Sequence, residues 1–550
     1  MPYDYIIAGA GSAGCLLANR LSTDAQCRVL LLEAGAEDRN RNIHIPAAFS
    51  KLFRTAEDWN YNSVPQPGMN HRQLYQPRGK VLGGSSSINA MIYIRGHRAD
   101  YDAWAAAGNP GWDYESVLPY FRRFERNLEF KDEYHGTMGE LTVSPSRHRH
   151  PLSQALLRAA EQAGYPLNPD FNGAQQEGFG FYQLTQKNGQ RCSAAAAFLQ
   201  PIRHRSNLHI QTEARAHRLL FEGKRVVGIA YEQGGRMLEA RARREVLLCA
   251  GSFNSPQLLL CSGVGDEKAL RQLGIPVRHH LPGVGQNLQD HLLAGSVYHT
   301  HRKDTLDSLQ RFPHSLRHLL QYLLRKRGML TSNIAESGGF LRSLPHLPAP
   351  DLQWHFSPGY FLRHGFDNPD SGNGFGLGTT LIYPYSRGAV RLASADPRDA
   401  ILIDPKYLSD ERDLDTLVRG HHITEHLLAQ AAFRPYRQQR FMPPPHVQDE
   451  RELRAYLREW AQSLYHPVGT CKMGTDELAV VDSRLRVHGL QGLRVADASI
   501  MPTIVRGNTN APVMMIAERA AAMLQRAAES SSSSSRQQRS SSSSGVVEGP

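Results

Sequence analysis

The stretch YDYIIAGAGSAGCLLANRL, residues 3–21, decides the fold of the amino-terminal region. Its first half is apolar and ends in glycines, and its second half places small and apolar residues at helical spacing. This pattern predicts a strand followed directly by a helix. Gly9, Gly11 and Gly14 match G-x-G-x-x-G, which in a β-α-β unit allows a tight turn, close approach of a pyrophosphate and close packing of helix on strand. The stretch therefore predicts a dinucleotide site.

The residues around the motif support this interpretation. Ser12 and Ala13 stand at the predicted helix start, where backbone N–H groups and the helix dipole favour phosphate. The apolar run CRVLLLEAG (27–35) is typical of a parallel strand buried on both faces, and it leads to Glu33 and Ala34. An acidic side chain at that position accepts hydrogen bonds from an adenosine ribose. The alternative is a Gly-rich turn without a ligand, and the motif alone does not separate FAD from NAD.

Composition excludes several classes of protein. The chain has 550 residues, of which 41% are hydrophobic and 21% charged, as in ordinary globular proteins of several domains. The net charge of +11 is dispersed, and no run of Lys and Arg with interleaved aromatics predicts nucleic-acid binding. Six scattered cysteines without a C-x-x-C pair indicate reduced thiols rather than disulfides or a zinc knuckle.

The chain carries no targeting or membrane-spanning pattern. No apolar run approaches the roughly 20 residues that cross a bilayer, and a predicted strand begins at residue 3, which leaves no room for a signal peptide. We therefore expect a cytoplasmic protein.

Patterns along the chain predict an α/β fold with two interleaved domains. REVLLCAGS (244–252) and GLRVADAS (492–499) are further apolar strands, and residues 206–240 alternate like antiparallel strands around an EGK turn. The predicted cofactor domain comprises 1–155, 205–295 and 470–528, and the predicted substrate domain comprises 156–204 and 296–469. The Ser-rich tail, 529–550, is predicted to be disordered.

Further motifs carry a family resemblance. RGKVLGGSSSINAMIYIRGHRADYDAW (78–104), GSFNSPQLLLCSGVG (251–265) and HPVGTCKMG (466–474) with NTNAPV (508–513) resemble the glucose–methanol–choline (GMC) family of flavoprotein oxidoreductases. The resemblance covers residues 3–527 and is strongest to bacterial aliphatic alcohol dehydrogenases and choline dehydrogenases. It implies a Rossmann-like FAD-binding domain and an α+β substrate-binding domain with an antiparallel sheet.

The resemblance also implies how FAD is held. Residues 83–89, GGSSSIN, form a small-residue loop able to lie against an isoalloxazine ring. Some family members attach FAD through a histidine where this chain has Ile88, so non-covalent FAD is expected. Besides the residues given above, the implied FAD contacts are Val81, Gly83, Gly84, Asn89, Ala90, Met91, Ala216, Asp497, Ala498 and Asn510.

His466, in SLYHPVGTCKMG (463–474), has three interpretations. Together with Cys471 and Met473 it suggests copper, but a blue-copper site needs a second histidine, so no metal is expected. It is also an ordinary candidate for a buried polar core residue. In GMC enzymes the matching histidine stands near the flavin N5 and takes the hydroxyl proton as hydride leaves the carbon. The resemblance implies Asn510 as the second polar catalytic group; capping of the following helix is its alternative role.

The substrate is less constrained by the sequence. The expected reaction is oxidation of primary, aliphatic alcohols to aldehydes, with choline as the alternative substrate and a quinone or artificial acceptor taking the electrons. Tyr465 and Glu336 are the candidate substrate contacts. A lyase or a non-redox flavin protein is the alternative of another class.

Segment 315–330, SLRHLLQYLLRKRGML, combines leucines with Arg and Lys. Peripheral association with the inner face of an anionic membrane is one interpretation. A helix packed within the substrate domain is the other.

Overall fold

The computed structural model describes residues 2–542, with side chains for 2–309 and 311–529. Within that part of the chain, two seven-stranded sheets dominate the fold. Their strands are β1 Tyr3–Ala8, β2 Val29–Leu32, β3 Gly178–Phe181, β4 Leu208–Gln211, β5 Ala214–Glu222, β6 Arg225–Gln233, β7 Arg236–Leu248, β8 Leu292–His299, β9 Ser337–Leu341, β10 Leu352–Ser357, β11 Gly374–Leu381, β12 Arg440–Met442, β13 Gln462–Ser463 and β14 Leu493–Val495.

The helices lie between and around these strands. They are α1 Ser12–Leu21, α2 Arg41–His44, α3 Arg98–Ala106, α4 Tyr114–Phe124, α5 Pro151–Gln162, α6 Gly251–Cys261, α7 Glu267–Gln272, α8 His314–Arg325, α9 Glu411–Ala429, α10 Glu450–Trp460 and α11 Asn510–Ser542. Shorter strands are Tyr61–Asn62, Tyr75–Gln76, Glu125–Asn127, Leu141–Pro145, Gln183–Leu184, Gln186–Lys187, Gln190–Arg191, Val264–Gly265, His279–His280, Gln286–Leu288, Gly388–Arg391 and Leu402–Asp404.

The first sheet is the predicted Rossmann-like layer. Strands β4, β2, β1, β7 and β14 are parallel neighbours in that order, and β5 and β6 extend β7 as an antiparallel meander. The β5–β6 hairpin turns at Gly223 and Lys224, as the EGK pattern predicted. The α/β fold class is confirmed. The ends of β1 and β2 bring the glycine turn and Glu33 to one edge, because parallel strands place their carboxyl ends together.

The second sheet is antiparallel throughout. Its order is β12, β8, β11, β10, β9 and β3, with β13 also on β8. Apolar residues of β10 and β11 pack against α5 and α9; examples are Trp354, Phe375, Leu156 and Leu428. Strands β9 to β13 of this sheet fall within residues 296–469.

Two segments lie differently from the predicted domain limits. Ala194, Phe198 and Ile202 pack in the core of the first sheet, although residues 156–204 were predicted to belong to the substrate domain. Strand β8 begins at Leu292, a few residues before the predicted limit at 296. In both places, a segment that connects the two sheets also contributes side chains or a strand to one of them.

The carboxyl-terminal helix α11 extends to Ser542, into the tail predicted to be disordered, and residues 543–550 lie outside the described residues. Among the described helices, none combines the length and the apolar character that crossing a bilayer requires.

Candidate active site

A cavity of about 380 Å³ is lined by residues of both sheets. Of the predicted site residues, those that line it are Gly9, Gly11, Ser12, Ala13, Glu33, Ala34, Gly84, Asn89, Ala90, Met91, Ala216, Tyr465, His466, Asp497, Ala498 and Asn510. Residues far apart in the sequence therefore meet around one space.

The nucleotide end of the cavity has the donors and the room that a pyrophosphate needs. Helix α1 begins at Ser12 with Gly11 as N-cap, and no side chain caps its first turn. Its N–H groups are therefore left for an anion. A Cβ on Gly11 would find its nearest neighbours 4.0 Å away, so the backbone there is open to a ligand.

Glu33 lies beside this turn and is held by the backbone. Its carboxylate accepts hydrogen bonds from the N–H groups of Ala10 (2.9 Å) and Gly35 (2.8 Å). Burial raises the pKa of Glu33 to about 7. Each oxygen keeps acceptor capacity for a ribose hydroxyl of a bound dinucleotide.

Three predicted FAD contacts lie behind the cavity wall instead of on it. A Cβ on Gly14 would lie 1.9 Å from the Gly9 carbonyl oxygen, so Gly14 permits helix-on-strand packing. The Gly83 N–H donates to the Ala10 carbonyl at 2.8 Å. Val81 is fully buried and forms an isolated bridge with Ala36. These residues shape the cradle without facing the ligand space.

The small-residue loop packs tightly on the glycine turn. A Cβ on Gly84 would come within 2.7 Å of the Gly11 Cα. Asn89 is fixed because its Oδ1 accepts from the Met91 N–H (3.0 Å) and from Arg191 Nη1 (2.8 Å). Sequence reasoning missed Arg191, whose guanidinium also bonds the Ser86 and Asn89 carbonyl oxygens. The loop begins with the 3-10 turn Gly84–Ser87, and its residues Ile88, Asn89 and Ala90 present small or uncharged side chains to the cavity, where a planar ring system could lie.

Asp497 lines the cavity, but the protein occupies its carboxylate. It accepts from Ser255 Oγ (2.6 Å), Gly251 N–H (2.9 Å), and both the N–H (2.9 Å) and Oγ (2.6 Å) of Ser499. These four bonds tie the first turn of α6 to the segment after β14. Asp497 thus positions neighbouring backbone at the cavity.

His466 stands at the centre of a chain of three polar side chains. Its Nδ1 lies 3.0 Å from Nδ1 of His291, and its Nε2 lies 3.2 Å from Nδ2 of Asn508. Its backbone N–H donates to Asp290 Oδ1 at 2.7 Å. His291, Asn508 and Asp290 were not predicted, since no local pattern links them to His466.

The contacts select one tautomer of His466. The Asn508 amide nitrogen only donates, and its Oδ1 is 3.2 Å from Gln353 Nε2, which supports this orientation. His466 Nε2 therefore accepts, and the ring proton sits on Nδ1, donated to His291. In this structure the Nε2 lone pair is the acceptor of the Asn508 contact, and both residues line the cavity, so a substrate hydroxyl has to replace that contact before Nε2 can take its proton.

The surroundings of His466 favour its neutral form. Burial is the main cause that lowers the pKa of His466 well below its usual value, and the neighbouring His291, His355 and Arg78 add to it. Burial also lowers the pKa of His291 and of His355 to about 3. His466 is thus unprotonated near neutral pH, which is the form that a base must have before it takes a proton.

Asn510 lines the cavity and also contacts helix α1. Its Oδ1 accepts from Ser12 Oγ at 2.7 Å, which joins the first turns of α1 and α11. Because α11 begins at Asn510, this side chain belongs to the helix, whereas Asn508 is still in the preceding loop and reaches His466. Both asparagines line the cavity, and Asn508 is the one whose side chain contacts His466 Nε2.

Glu336 also differs from its prediction, because it does not line the cavity. It is fully buried, and its carboxylate accepts from the His150 N–H (2.8 Å), Ser153 Oγ (2.9 Å) and Ser332 Oγ (2.7 Å). All of these are contacts within the protein. Glu336 therefore holds the chain together behind the site and does not touch the space for substrate.

Aromatic side chains line the cavity beyond Tyr465. Phe53 packs edge-on against Tyr465 with ring centroids 5.8 Å apart, and Phe49 lies 6.0 Å from Phe361. Arg363 also lines this end. Among the described residues, the acidic side chains that line the cavity are Glu33 and Asp497, both at the nucleotide end. The substrate end therefore has aromatic walls with an arginine beside them, and none of the described carboxylates lines it.

Cys471 and Met473 take no part in the cavity. Both are buried in the core of the first sheet, away from the space that His466 lines. The three side chains that suggested copper thus point into different environments.

Comparison with known proteins identifies the family. GMC oxidoreductase family models match residues 3–293 and 384–517. An alcohol dehydrogenase [acceptor] from Pseudomonas putida is 47% identical, covering 94% of this chain and 95% of its own. The mitochondrial choline dehydrogenase of Mus musculus is 46% identical, covering 94% of this chain and 88% of its own. A formate oxidase of Aspergillus oryzae RIB40, solved in a study of FAD modification, superposes with a TM-score of 0.91 at 26% identity, covering 96% and 99%.

The chain belongs to the GMC oxidoreductases, FAD-dependent enzymes that act on CH–OH groups. FAD is its cofactor, held without a covalent bond. The residues present fit it: an uncapped helix start for the pyrophosphate, Glu33 for the ribose and the small-residue loop 84–91 for the ring.

Proposed function

We propose that this protein oxidises uncharged primary alcohols to aldehydes. The observation that carries this proposal is the substrate end of the cavity, where Phe49, Phe53, Phe361 and Tyr465 form apolar walls without a carboxylate. A quaternary ammonium such as choline gains most from a desolvated aromatic cage supported by negative charge. Arg363 lines this end, where its guanidinium is ion-paired with Glu459 (3.3 Å) and Asp367 (3.4 Å), and neither of these carboxylates lines the cavity. An aliphatic or benzylic alcohol needs only the apolar contact.

The catalytic residues act on the hydroxyl group. His466 Nε2 takes the hydroxyl proton, and its Nδ1 proton remains bonded to His291. Asn508 Nδ2 donates a hydrogen bond towards the oxygen as it becomes an alkoxide, because it shares the side of the cavity on which Nε2 opens. When bound, FAD supplies the acceptor for the hydride that leaves the carbon. The aromatic walls exclude water, which strengthens these polar contacts.

Electrons leave the enzyme to a quinone or an artificial acceptor in this proposal. The support is the P. putida relative, which is named an alcohol dehydrogenase [acceptor]. Reoxidation of the reduced enzyme by a soluble ubiquinone analogue, compared with air, tests this part. Faster reoxidation by air would contradict it.

Anaerobic reduction of the bound flavin tests the substrate proposal. Purified holoenzyme is mixed without oxygen with 1-octanol, benzyl alcohol or choline, and the loss of flavin absorption is followed. The uncharged alcohols are expected to bleach the flavin with a second-order rate constant at least about tenfold above that of choline, a difference of ~1.4 kcal/mol. Preference for choline would overturn the substrate class, and no bleaching by any alcohol would favour a lyase or a non-redox flavin protein.

A matched variant sharpens the discrimination between substrates. Arg363→Met removes the positive charge at the substrate end, so reduction by choline should speed up relative to reduction by benzyl alcohol. Arg391→Met serves as the control, because Arg391 is an exposed arginine outside the cavity lining. If the ratio of the two reduction rates, choline to benzyl alcohol, is unchanged in the Arg363 variant, charge is not the basis of selectivity.

A further inference from the structure

Helix α8 turns its apolar side away from the rest of the protein. Five leucines recur at helical spacing and share one face, and each is exposed: Leu316 (49%), Leu319 (40%), Leu320 (49%), Leu323 (57%) and Leu324 (81%). Phe312, just before the helix, is 82% exposed. Tyr322 is the residue of α8 that is buried. A helix packed within the substrate domain would bury its leucines, so that interpretation of the segment does not account for the exposed leucine face.

The same segment is strongly basic. Residues 311–328 contain Arg311, Arg317, Arg325, Lys326 and Arg327 and no Asp or Glu. Arg317, Arg325 and Arg327 are exposed. The Lys326 amine lies 4.4 Å from the centre of the Tyr322 ring. Positive charge therefore borders an apolar surface that no acidic side chain of the segment offsets.

Helix α8 is also connected to the cavity. The Tyr322 hydroxyl donates to the His44 carbonyl at 3.3 Å, which anchors the helix beside the segment that leads to Phe49. After α8 the chain passes through Met329–Thr331 to Asn333 and Ile334, which line the cavity. The exposed face thus belongs to the part of the molecule that encloses the substrate end.

We propose that the outer face of α8 docks on a bilayer that contains anionic lipids. The leucines would enter the acyl region while Arg317, Arg325 and Arg327 contact the headgroup phosphates, as in interfacial amphipathic helices. A second copy of the chain is a poorer occupant. An isologous contact would bring these arginines against the same arginines of the partner, and like charges repel.

Vesicle flotation tests the proposal with the full-length holoenzyme. The vesicles are phosphatidylcholine alone or phosphatidylcholine with phosphatidylglycerol, at low and at high salt. The protein is expected to float with the anionic vesicles at low salt, and less at high salt. Leu320→Gln with Leu323→Gln should lower the bound fraction about tenfold or more, since two leucines would lose their burial.

A control pair separates this effect from general surface polarity. Leu128→Gln with Met138→Gln changes residues that are 56% and 86% exposed elsewhere on the surface, and vesicle binding should persist. Arg325→Glu with Arg327→Glu should remove the preference for anionic lipid. Oxidation of a soluble alcohol should be unchanged in every variant, because none of these residues lines the cavity.

Three outcomes would overturn the proposal. One is failure of the wild type to bind either vesicle, and another is equal binding by the leucine variant. The third is a dimer of the wild type, seen by light scattering, that the leucine variant abolishes. The last result would assign the face to a second copy. None of these outcomes bears on alcohol oxidation, which is measured separately.

Discussion

A histidine acts as a base only when its neighbours keep the right ring nitrogen unprotonated. At His466 the Asn508 amide faces Nε2 at 3.2 Å and His291 faces Nδ1 at 3.0 Å. The contact with Asn508 requires Nε2 to be an acceptor, and the contact with His291 uses the ring proton on Nδ1. Burial then lowers the pKa of His466 and keeps the ring neutral. In the proposed mechanism His291 is therefore a positioning residue, and Asn508 donates to the developing oxyanion.

The two asparagines of the NTN segment should behave differently when each is replaced by alanine. Asn508→Ala removes the donor at Nε2, so we expect kcat to fall about 10²-fold or more with FAD retained. Asn510→Ala breaks only the 2.7 Å bond to Ser12, so kcat should stay within about tenfold. Steady-state kinetics with a soluble acceptor measures both. The opposite ranking would restore Asn510 as the catalytic partner.

Glu33 gives the cofactor site a pH dependence. Burial raises its pKa to about 7, and its ionised form is the better acceptor for ribose hydroxyls. FAD binding should therefore weaken as pH falls through about 7, by about tenfold between pH 8 and pH 6. Titration of apoprotein with FAD, followed by flavin fluorescence, measures this dependence. Glu33→Gln should bind FAD more weakly with little pH dependence; the same pH dependence in the variant would contradict the assignment.

At the scale of elements, the site depends on close contact between β1, α1 and the loop 83–91. The Gly83 N–H bonds the turn at Ala10, and the Gly84 and Gly11 backbones almost touch. Helix α1 can sit this close to β1 because Gly14 has no side chain. The open first turn of α1 therefore points at the cavity.

Gly14→Ala should disturb this arrangement. The new Cβ would lie 1.9 Å from the Gly9 carbonyl oxygen, so strand and helix must separate. We expect a loss of about 2 kcal/mol or more in the free energy of unfolding, together with weaker FAD binding. Gly223→Ala is the control, since its Cβ meets no atom within 4 Å and its φ of +58° gives only backbone strain. Thermal unfolding and FAD content are measured for both variants. Equal losses of stability and FAD in the two variants would refute the packing argument.

At the scale of the whole molecule, the active site forms where the two sheets meet. Asp290 lies two residues before β8 and accepts from the backbone N–H groups of His291 (2.9 Å) and His466 (2.7 Å). Its other oxygen accepts from Ser463 Oγ at 2.5 Å and from the Tyr407 hydroxyl. One buried carboxylate thus fixes both histidines, and the cofactor cradle of the first sheet faces them across the cavity.

The sequence predicted the nucleotide end because its signals are local. Gly9, Gly11, Gly14 and Glu33 lie within 35 residues of the start and are held by one β-α-β unit. The catalytic neighbourhood depends on distant pairs, for His291 is 175 residues from His466. Choosing between Asn508 and Asn510 requires knowing where α11 starts.

The sequence could not predict the orientation of α8, for a similar reason. An amphipathic pattern shows that five leucines share a face, and it is the same whether that face turns inward or outward. The tertiary structure decides, because Tyr322 anchors the opposite side.

The role of His466 is the central claim, and one measurement tests it most directly. Stopped-flow reduction of the bound flavin by an alcohol, without oxygen, is compared between the wild type and His466→Gln. Glutamine preserves polarity but cannot take the proton. The account predicts a rate constant of reduction about 10²- to 10⁴-fold lower with full FAD content. A rate constant within a few-fold of the wild type would contradict it.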